Sequence, residues 1–483
     1  MIKEAYHYFD QLFYGKQTLR KKGFKRLNKM NTKDMTVGRP GKLLLTFAIP
    51  LMLGNVFQQL YTFVDTAIVG QVLGVNALAA LGATEWMTFI MFGSIAGVTQ
   101  GFSVTMAQHF GAAEYGMLRK SIVNAMYLAI VGAVIFTVLG QLIIYPILGL
   151  LKTPDGIIEL SESYLRILYM GVPISMSYNL LAAILRALGN SKTPLQAMIA
   201  ASLCNIALDF LFVFEFGWGI RGAAFATVLA QSLAMVFCII KLKGIKILSV
   251  QSNEYIFDKD ICYAELKLGV PIGLQNIITA IGGLIIQAVI NGFGILFIAG
   301  YTAANKLYGL LEIAAASYSY AMSSYAGQNM GAGQVDRVRK GLRTANIIGI
   351  ITAYGMSAIM LFYGKMILSC FIAADVATVQ ATIKIGYQFL KILAVFFPLL
   401  YILYVTRACI QGMGNTLLPM ISSIAQLIMR MGCALILTRF IGETGVFWGE
   451  IAAWTGADII LLFSYYYYVK NIEVTGLSAI QTE

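Results

Sequence analysis

Windows of nineteen or more residues without a single charge recur down this chain, and they limit its fold more than any motif does. Residues 66–84 and 86–113 are separated only by Glu85, and further windows lie at 121–151, 167–185, 222–240, 268–305, 313–335, 344–364 and 408–429. An α-helix rises about 1.5 Å per residue, so each window is about long enough to cross a hydrocarbon core of about 30 Å. Strands of a membrane barrel would be about ten residues long and strictly alternating. These windows are longer and apolar all round, which predicts helices. Charged residues make up only 12% of the 483, against roughly a quarter in a soluble domain. With a mean hydropathy of +0.75, the chain cannot clothe a water-soluble fold of its size.

Splitting the longest windows at glycine-rich and polar points gives twelve spans, from 43–71 and 77–108 at one end to 415–438 and 443–469 at the other. The expected fold is an all-α polytopic membrane protein. The formal net charge is +12, of which residues 1–42 carry eleven Lys or Arg against Glu4, Asp10 and Asp34, a net +8. No apolar run follows the first charges until near Leu43, so a cleaved signal peptide is not expected. A basic tail followed by an even number of spans places both termini in the cytoplasm. The pairs Arg119–Lys120 and Arg186–Lys192, and the clusters 241–246 and 337–343, fall on the same side. Basic residues thus mark a membrane side, and the 12–29 segment suits an anionic membrane surface. Nucleic-acid binding is not expected, because no motif or aromatic-interleaved basic face accompanies the charge.

The two halves repeat. "AQHFGAAEYGMLRK" at 107–120 returns as "GQNMGAGQVDRVRK" at 327–340, an offset of 220. "LRALGNSKTP" at 185–194 returns as "IQGMGNTLLP" at 410–419, an offset of 225, and "FAIPLMLG" around Pro50 returns as "LGVPIGLQ" around Pro271. An even number of spans per repeat makes the repeats parallel, related by an axis along the membrane normal. The expected organisation is a basic tail (1–42), a first six-helix lobe (43–242), a cytoplasmic linker (243–263), a second lobe (264–469) and a cytoplasmic tail (470–483). Two pseudo-symmetric six-helix bundles with a cleft between them suit alternating access. Pro50, Pro173, Pro271 and Pro398 lie inside spans, where each frees a carbonyl and permits a bend.

Charges at bilayer depth are costly and mark function by default. Asp65 is the only charge between Lys42 and Glu85, with Tyr61 one turn before it on the same face. Asp209 repeats the pattern with Asn205 four residues earlier. If the two carboxylates meet, their repulsion is relieved by a shared proton or by a Na⁺ among oxygens of Asp65, Asn205, Asp209 and Thr227. Glu85 and Glu312 are weaker cleft candidates, Lys306 is a possible partner for Glu312, and Arg407, Arg430, Glu450 and Asp458 suit a polar network in the second lobe. Six scattered cysteines without a CxxC pair read as small buried hydrophobes. No P-loop, nucleophile elbow or metal-spaced histidine set is present, so an enzyme is not expected and an ion gradient is the simplest energy source.

Taken together, "LYTFVDTAIVG" (60–70), "AQHFGAAEY" (107–115), "LRALGNSKTP" (185–194), "NIALD" (205–209) and "GQNMGAG" (327–333) resemble multidrug and toxic compound extrusion transporters. The resemblance runs from about residue 36 to 470. It implies a bacterial cell-membrane antiporter that exports amphipathic, often cationic compounds for inward Na⁺ or H⁺. It implies no tightly bound cofactor, and partners limited to the bilayer and small-molecule substrates, with no required oligomer. The family's first-lobe cation site falls on Tyr61, Asp65, Asn205, Asp209 and Thr227, with proton-linked bending at the proline matching Pro50. Where another branch has an acid in helix seven, this chain has Thr279. That departure favours coupling through the first lobe. A lipid-precursor flippase or small-metabolite exporter shares the fold, and a non-transporting membrane scaffold or receptor is the reading of another class.

Overall fold

The computed structural model describes residues 32–369 and 376–480. Most of the basic tail, residues 1–31, and the segment 370–375 lie outside the described residues. The described chain is helical: α1 (Pro40–Leu73), α2 (Val75–Gly111), α3 (Tyr115–Leu150), α4 (Asp155–Met170), α5 (Val172–Ala187), α6 (Lys192–Asp209) and α7 (Gly219–Lys243), then α8 (Lys259–Ile290), α9 (Ile295–Gly331), α10 (Val335–Ser369), α11 (Val376–Gly412), α12 (Leu417–Ile441) and α13 (Gly445–Ile480). The helices α4 and α5 are the two halves of one span bent by 50°. Twelve membrane-length segments result, as the charge-free windows predict.

By length and composition alone nine stretches of the described residues can cross a bilayer, and the bent pair makes a tenth. The stretch 417–469 contains both α12 and α13, parted by the short turn Gly442–Thr444. The remaining helix, α9, is 37 residues long, but Thr302, Asn305, Lys306 and Glu312 lower its hydropathy. Of the four span prolines, only Pro173 sits at a break, at the start of α5 just after Gly171. Pro50, Pro271 and Pro398 lie inside continuous helices.

Helix boundaries follow local chemistry. Pro40 opens α1, where a missing N–H costs nothing. The Asp258 carboxylate caps α8 by accepting from the amides of Asp260 (3.0 Å) and Ile261 (3.2 Å). The sequence repeat extends to backbone conformation. Left-handed residues recur as Gly74 and Gly294 (φ 82° and 91°), Ala113 and Gly333 (60° and 68°), Gly189 and Gly414 (76° and 95°), and Gly217 and Gly442 (63° and 65°). These pairs keep the offsets of 220 and then 225 seen in the sequence, so each half folds through the same turns.

The apolar interior divides in two. One core joins Val69 to Ile245, and the other joins Ile286 to Val469. Met35, Leu43, Leu44, Phe47, Ala48 and Leu51 belong to the second core. The first part of α1 therefore packs on the second lobe, while Asp65, further along, packs with the first. Outward-facing apolar residues such as Ile130, Val134, Val138 and Leu142 on α3 are the lipid-facing surface.

The linker between lobes is folded onto α3. Arg119 donates to both carboxylate oxygens of Glu254 (2.7 and 2.6 Å) and to the Ile247 carbonyl, while Asn124 donates to the Ile256 carbonyl and accepts from the Asp258 amide. The Arg119 guanidinium, with the Gln251 amide, holds the Glu254 carboxyl down to about 2 from an ordinary 4.5. A depressed carboxyl stabilises the folded state fully above the ordinary value and loses that contribution as pH falls toward 2. Glu254→Gln is expected to raise amide hydrogen exchange across 246–258 at pH 7 by roughly tenfold or more, the loss of a charge-assisted pair. Unchanged exchange would show that this clasp does not hold the linker.

Candidate functional site

The site begins with the seam between lobes. On α2, Gly93, Gly97 and Gly101 recur every four residues, and α8 presents Gly269 and Gly273. Small residues at this spacing let two helix backbones approach closely. A Cβ on Gly97 would lie 2.8 Å from the Ile272 carbonyl, and one on Gly101 would fall on the Gly269 backbone. Further along, the Asn276 amide donates to the Gly93 carbonyl (2.6 Å), and Trp86 lies over Gly283. This stripe is in the sequence, where glycine abundance alone does not single it out.

At the end of the molecule that carries most Lys and Arg, the seam is closed by a reciprocal contact. Gly111 of α2 packs on the carbonyl of Gln328, and Gly331 of α9 packs on the carbonyl of Gln108. The Gln108 side chain donates to the Gly412 carbonyl (3.2 Å), and the Gln328 side chain donates to the Ala187 carbonyl (2.8 Å). All of these partners are repeat equivalents. Arg186 adds a further tie, with its guanidinium 4.8 Å from the Tyr320 ring centre and 3.3 Å from the Gln100 oxygen.

Toward the other end the lobes part on the α1–α9 side. Asn55 still reaches Ser317 (3.5 Å). Beyond it Gln58 and Thr62 of α1, and Thr302, Asn305 and Lys306 of α9, are exposed at bilayer depth. Polar groups at that depth line a watered cleft rather than face lipid. The cleft is therefore open away from the basic end.

Asp65 and Asp209 meet beside this cleft. Their carboxyl groups lie side by side, close enough to share a proton. Asp65 is 7% exposed, Asn205 1% and Asp209 0%. Oδ1 of Asp65, both polar atoms of the Asn205 side chain and both oxygens of Asp209 have no hydrogen-bond partner among the described residues. Buried polar atoms are ordinarily satisfied, and a cluster of unpaired ones marks a site that takes a ligand or a proton. Tyr61 is half-buried and within electrostatic reach of both carboxylates. Thr227 is half-buried and spends its hydroxyl proton on the Ala223 carbonyl of its own helix (3.1 Å), keeping its lone pairs.

Two contributors escape a reading of the sequence. Tyr164 of α4 is buried within electrostatic reach of Asp65, Tyr61 and Asp209. No spacing rule ties it to them, because it lies on another helix. Directly after Asp209 the chain becomes a π-helix over Phe210–Glu215. Such wide turns re-aim side chains and concentrate at functional sites.

The second lobe pairs several of its charges but leaves the buried carboxylates of Asp458 and Glu265 without a hydrogen-bond partner among the described residues. Tyr404 donates to Glu312 (2.6 Å), Arg430 pairs with Glu450 (2.7 Å), and Arg407 donates to Gln426 (3.0 Å). The pairing of Lys306 with Glu312 does not form. Six residues turn the helix through about 240°, which points the two side chains apart. Thr279 donates to the Gln275 carbonyl of its own helix (3.0 Å), and Glu85 is exposed on α2.

Comparison with known proteins agrees with this architecture. The chain is similar to the probable multidrug resistance protein YpnP of Bacillus subtilis, 30% identical over 86% of this chain and 93% of that one. It is also similar to a FAD transporter of Shewanella oneidensis, 26% identical over 62% of this chain and 68% of that protein. A solved structure of MATE in complex with MaL6 superposes with a TM-score of 0.85, at 24% identity, over 91% of this chain and 98% of that one.

The seam yields a test of which state the contacts hold. Gly331→Ala is expected to push a methyl group onto Gln108 and part the basic ends. A membrane-impermeant maleimide added to that side should then label Ala107→Cys, which is otherwise 2% exposed beside Gly327, several-fold faster. Equal labelling with and without Gly331→Ala would contradict the role given to this contact. The MatE family profile matches residues 50–211 and 271–436, one block in each lobe, and the chain belongs to that family of multidrug and toxic compound extrusion transporters.

Proposed function

We propose that this protein is a secondary antiporter of a bacterial cell membrane that exports amphipathic, chiefly cationic organic compounds in exchange for inward Na⁺ or H⁺. The observation that carries this reading is the unpaired Asp65–Asp209 couple beside the open cleft. Following the positive-inside rule, the basic ends and both termini face the cytoplasm, so the cleft faces outward. The relatives' names, multidrug resistance among them, support the substrate class.

The donor set fits either ion. Carboxylate and amide oxygens from Asp65, Asn205 and Asp209, with the hydroxyls of Tyr61 and Thr227 proposed as further ligands, are hard donors that suit a small hard cation. A proton shared by the two carboxyls relieves the same repulsion. In either case the ion enters from the open side and neutralises charge between α1 and α6. Ion binding then changes the relative stability of the outward and inward states, which coupling requires. The bend in the α4–α5 span and Pro50 in α1 are the places where the helices can yield.

Asp65→Asn is expected to lower gradient-driven efflux of a fluorescent organic cation by roughly tenfold or more in inverted vesicles, with insertion intact. Imposing Na⁺ and pH gradients separately identifies the ion, and near-normal efflux by the variant would sink the assignment. A second reading, export of an anionic metabolite, is favoured by Lys306, which is exposed in the cleft and has no ion pair among the described residues. The FAD transporter relative points the same way. Faster transport of a fluorescent flavin than of the organic cation in that assay would decide for it.

A further inference from the structure

At the basic end a groove of about 860 Å³ runs down the outside of α1, between the start of α6 in the first lobe and α10 in the second. Its mouth is formed by Arg39, Lys42 and Lys192, all exposed and without an ion pair among the described residues, and no acidic side chain lines it. Lys33 stands behind them. Its ammonium is pushed below the usual range by its own burial and then by Lys42 and Lys192, the mark of crowded like charge. The floor is apolar: Leu45, Ile49 and Pro50 follow along the helix, with Ile49 half-exposed. The α10 side is held close by Gly41, where a Cβ would lie 3.2 Å from Thr344.

From these observations we infer that the groove is a binding site for an anionic glycerophospholipid, seated between the two lobes. Its length selects this occupant. From Arg39 to Ile49 the helix descends about 15 Å, which matches the distance from a headgroup phosphate into the acyl region. A cationic mouth at the membrane surface binds the phosphate, and the apolar floor takes the first part of a chain. Basic pockets between spans on the cytoplasmic side are the recurrent way membrane proteins hold acidic headgroups. A free phosphate would satisfy only the mouth and leave the Leu45–Ile49 floor unused. Because the walls belong to α6 and α10, the bound lipid touches both lobes and lies against Pro50.

The test uses the full chain in neutral detergent and native mass spectrometry, with phosphatidylglycerol, phosphatidylcholine and inorganic phosphate offered in turn. The parent should retain phosphatidylglycerol in preference to phosphatidylcholine. The triple variant R39Q/K42Q/K192Q should lose that preference by roughly a factor of five per basic residue removed. Ile49→Trp, which fills the floor and leaves the charges in place, should weaken phosphatidylglycerol alone. Should the triple variant fold poorly, Lys42→Gln and Ile49→Trp decide. Equal retention of the two lipids, or no loss in the variants, would overturn the proposal. Displacement of phosphatidylglycerol by millimolar phosphate, with Ile49→Trp silent, would also overturn it and leave a free-anion site.

Discussion

The two halves of this protein are held by a contact that each makes on the other in the same way. Gly111 and Gly331 let the ends of α2 and α9 cross at backbone distance, and Gln108 and Gln328 each donate to the opposite lobe. No hydrophobic effect drives helices together inside lipid, so close packing and satisfied carbonyls must supply the adhesion. The α2–α8 glycine stripe provides that adhesion along one side. On the other side the helices α1 and α9 part beyond Asn55 and Ser317, and polar residues such as Thr62 and Lys306 are exposed there.

Desolvation then weighs on the charges that each lobe buries. Removing one partner of a buried ion pair costs about 3–5 kcal/mol, so paired charges such as Arg430–Glu450 are fixed parts of the second bundle. Glu312 is likewise satisfied by Tyr404. In the first lobe Asp65 and Asp209 face each other without a donor among the described residues. Asp458 and Glu265 are also buried without a partner among the described residues, so what sets the first lobe apart is that its two unpaired carboxylates adjoin each other.

Much of this was legible in the sequence, for physical reasons. Lipid excludes charge, so twelve spans and the conspicuous Asp65 follow from where charges are missing. The duplication keeps its offsets, so the turns at Gly74 and Gly294, and at Gly189 and Gly414, could be paired before any coordinates. Other features depend on contacts between distant residues. Tyr164 approaches the aspartates from another helix, and the π-helix after Asp209 has no composition that announces it. Nearness along one helix does not make a pair where the spacing is wrong, as with Lys306 and Glu312. The packing of residues 35–51 on the second lobe is equally invisible, because an apolar helix face does not name its partner.

The central claim is that an ion at Asp65 and Asp209 sets the balance between open and closed clefts. Spin-label distances across the cleft, between α1 near residue 60 and α9 near residue 302, measure that balance directly. The account predicts that raising Na⁺ or lowering pH shifts the distance distribution, and that Asp65→Asn and Asp209→Asn each abolish the response. Distances that move with neither ion, or that still respond with both aspartates replaced, would contradict it.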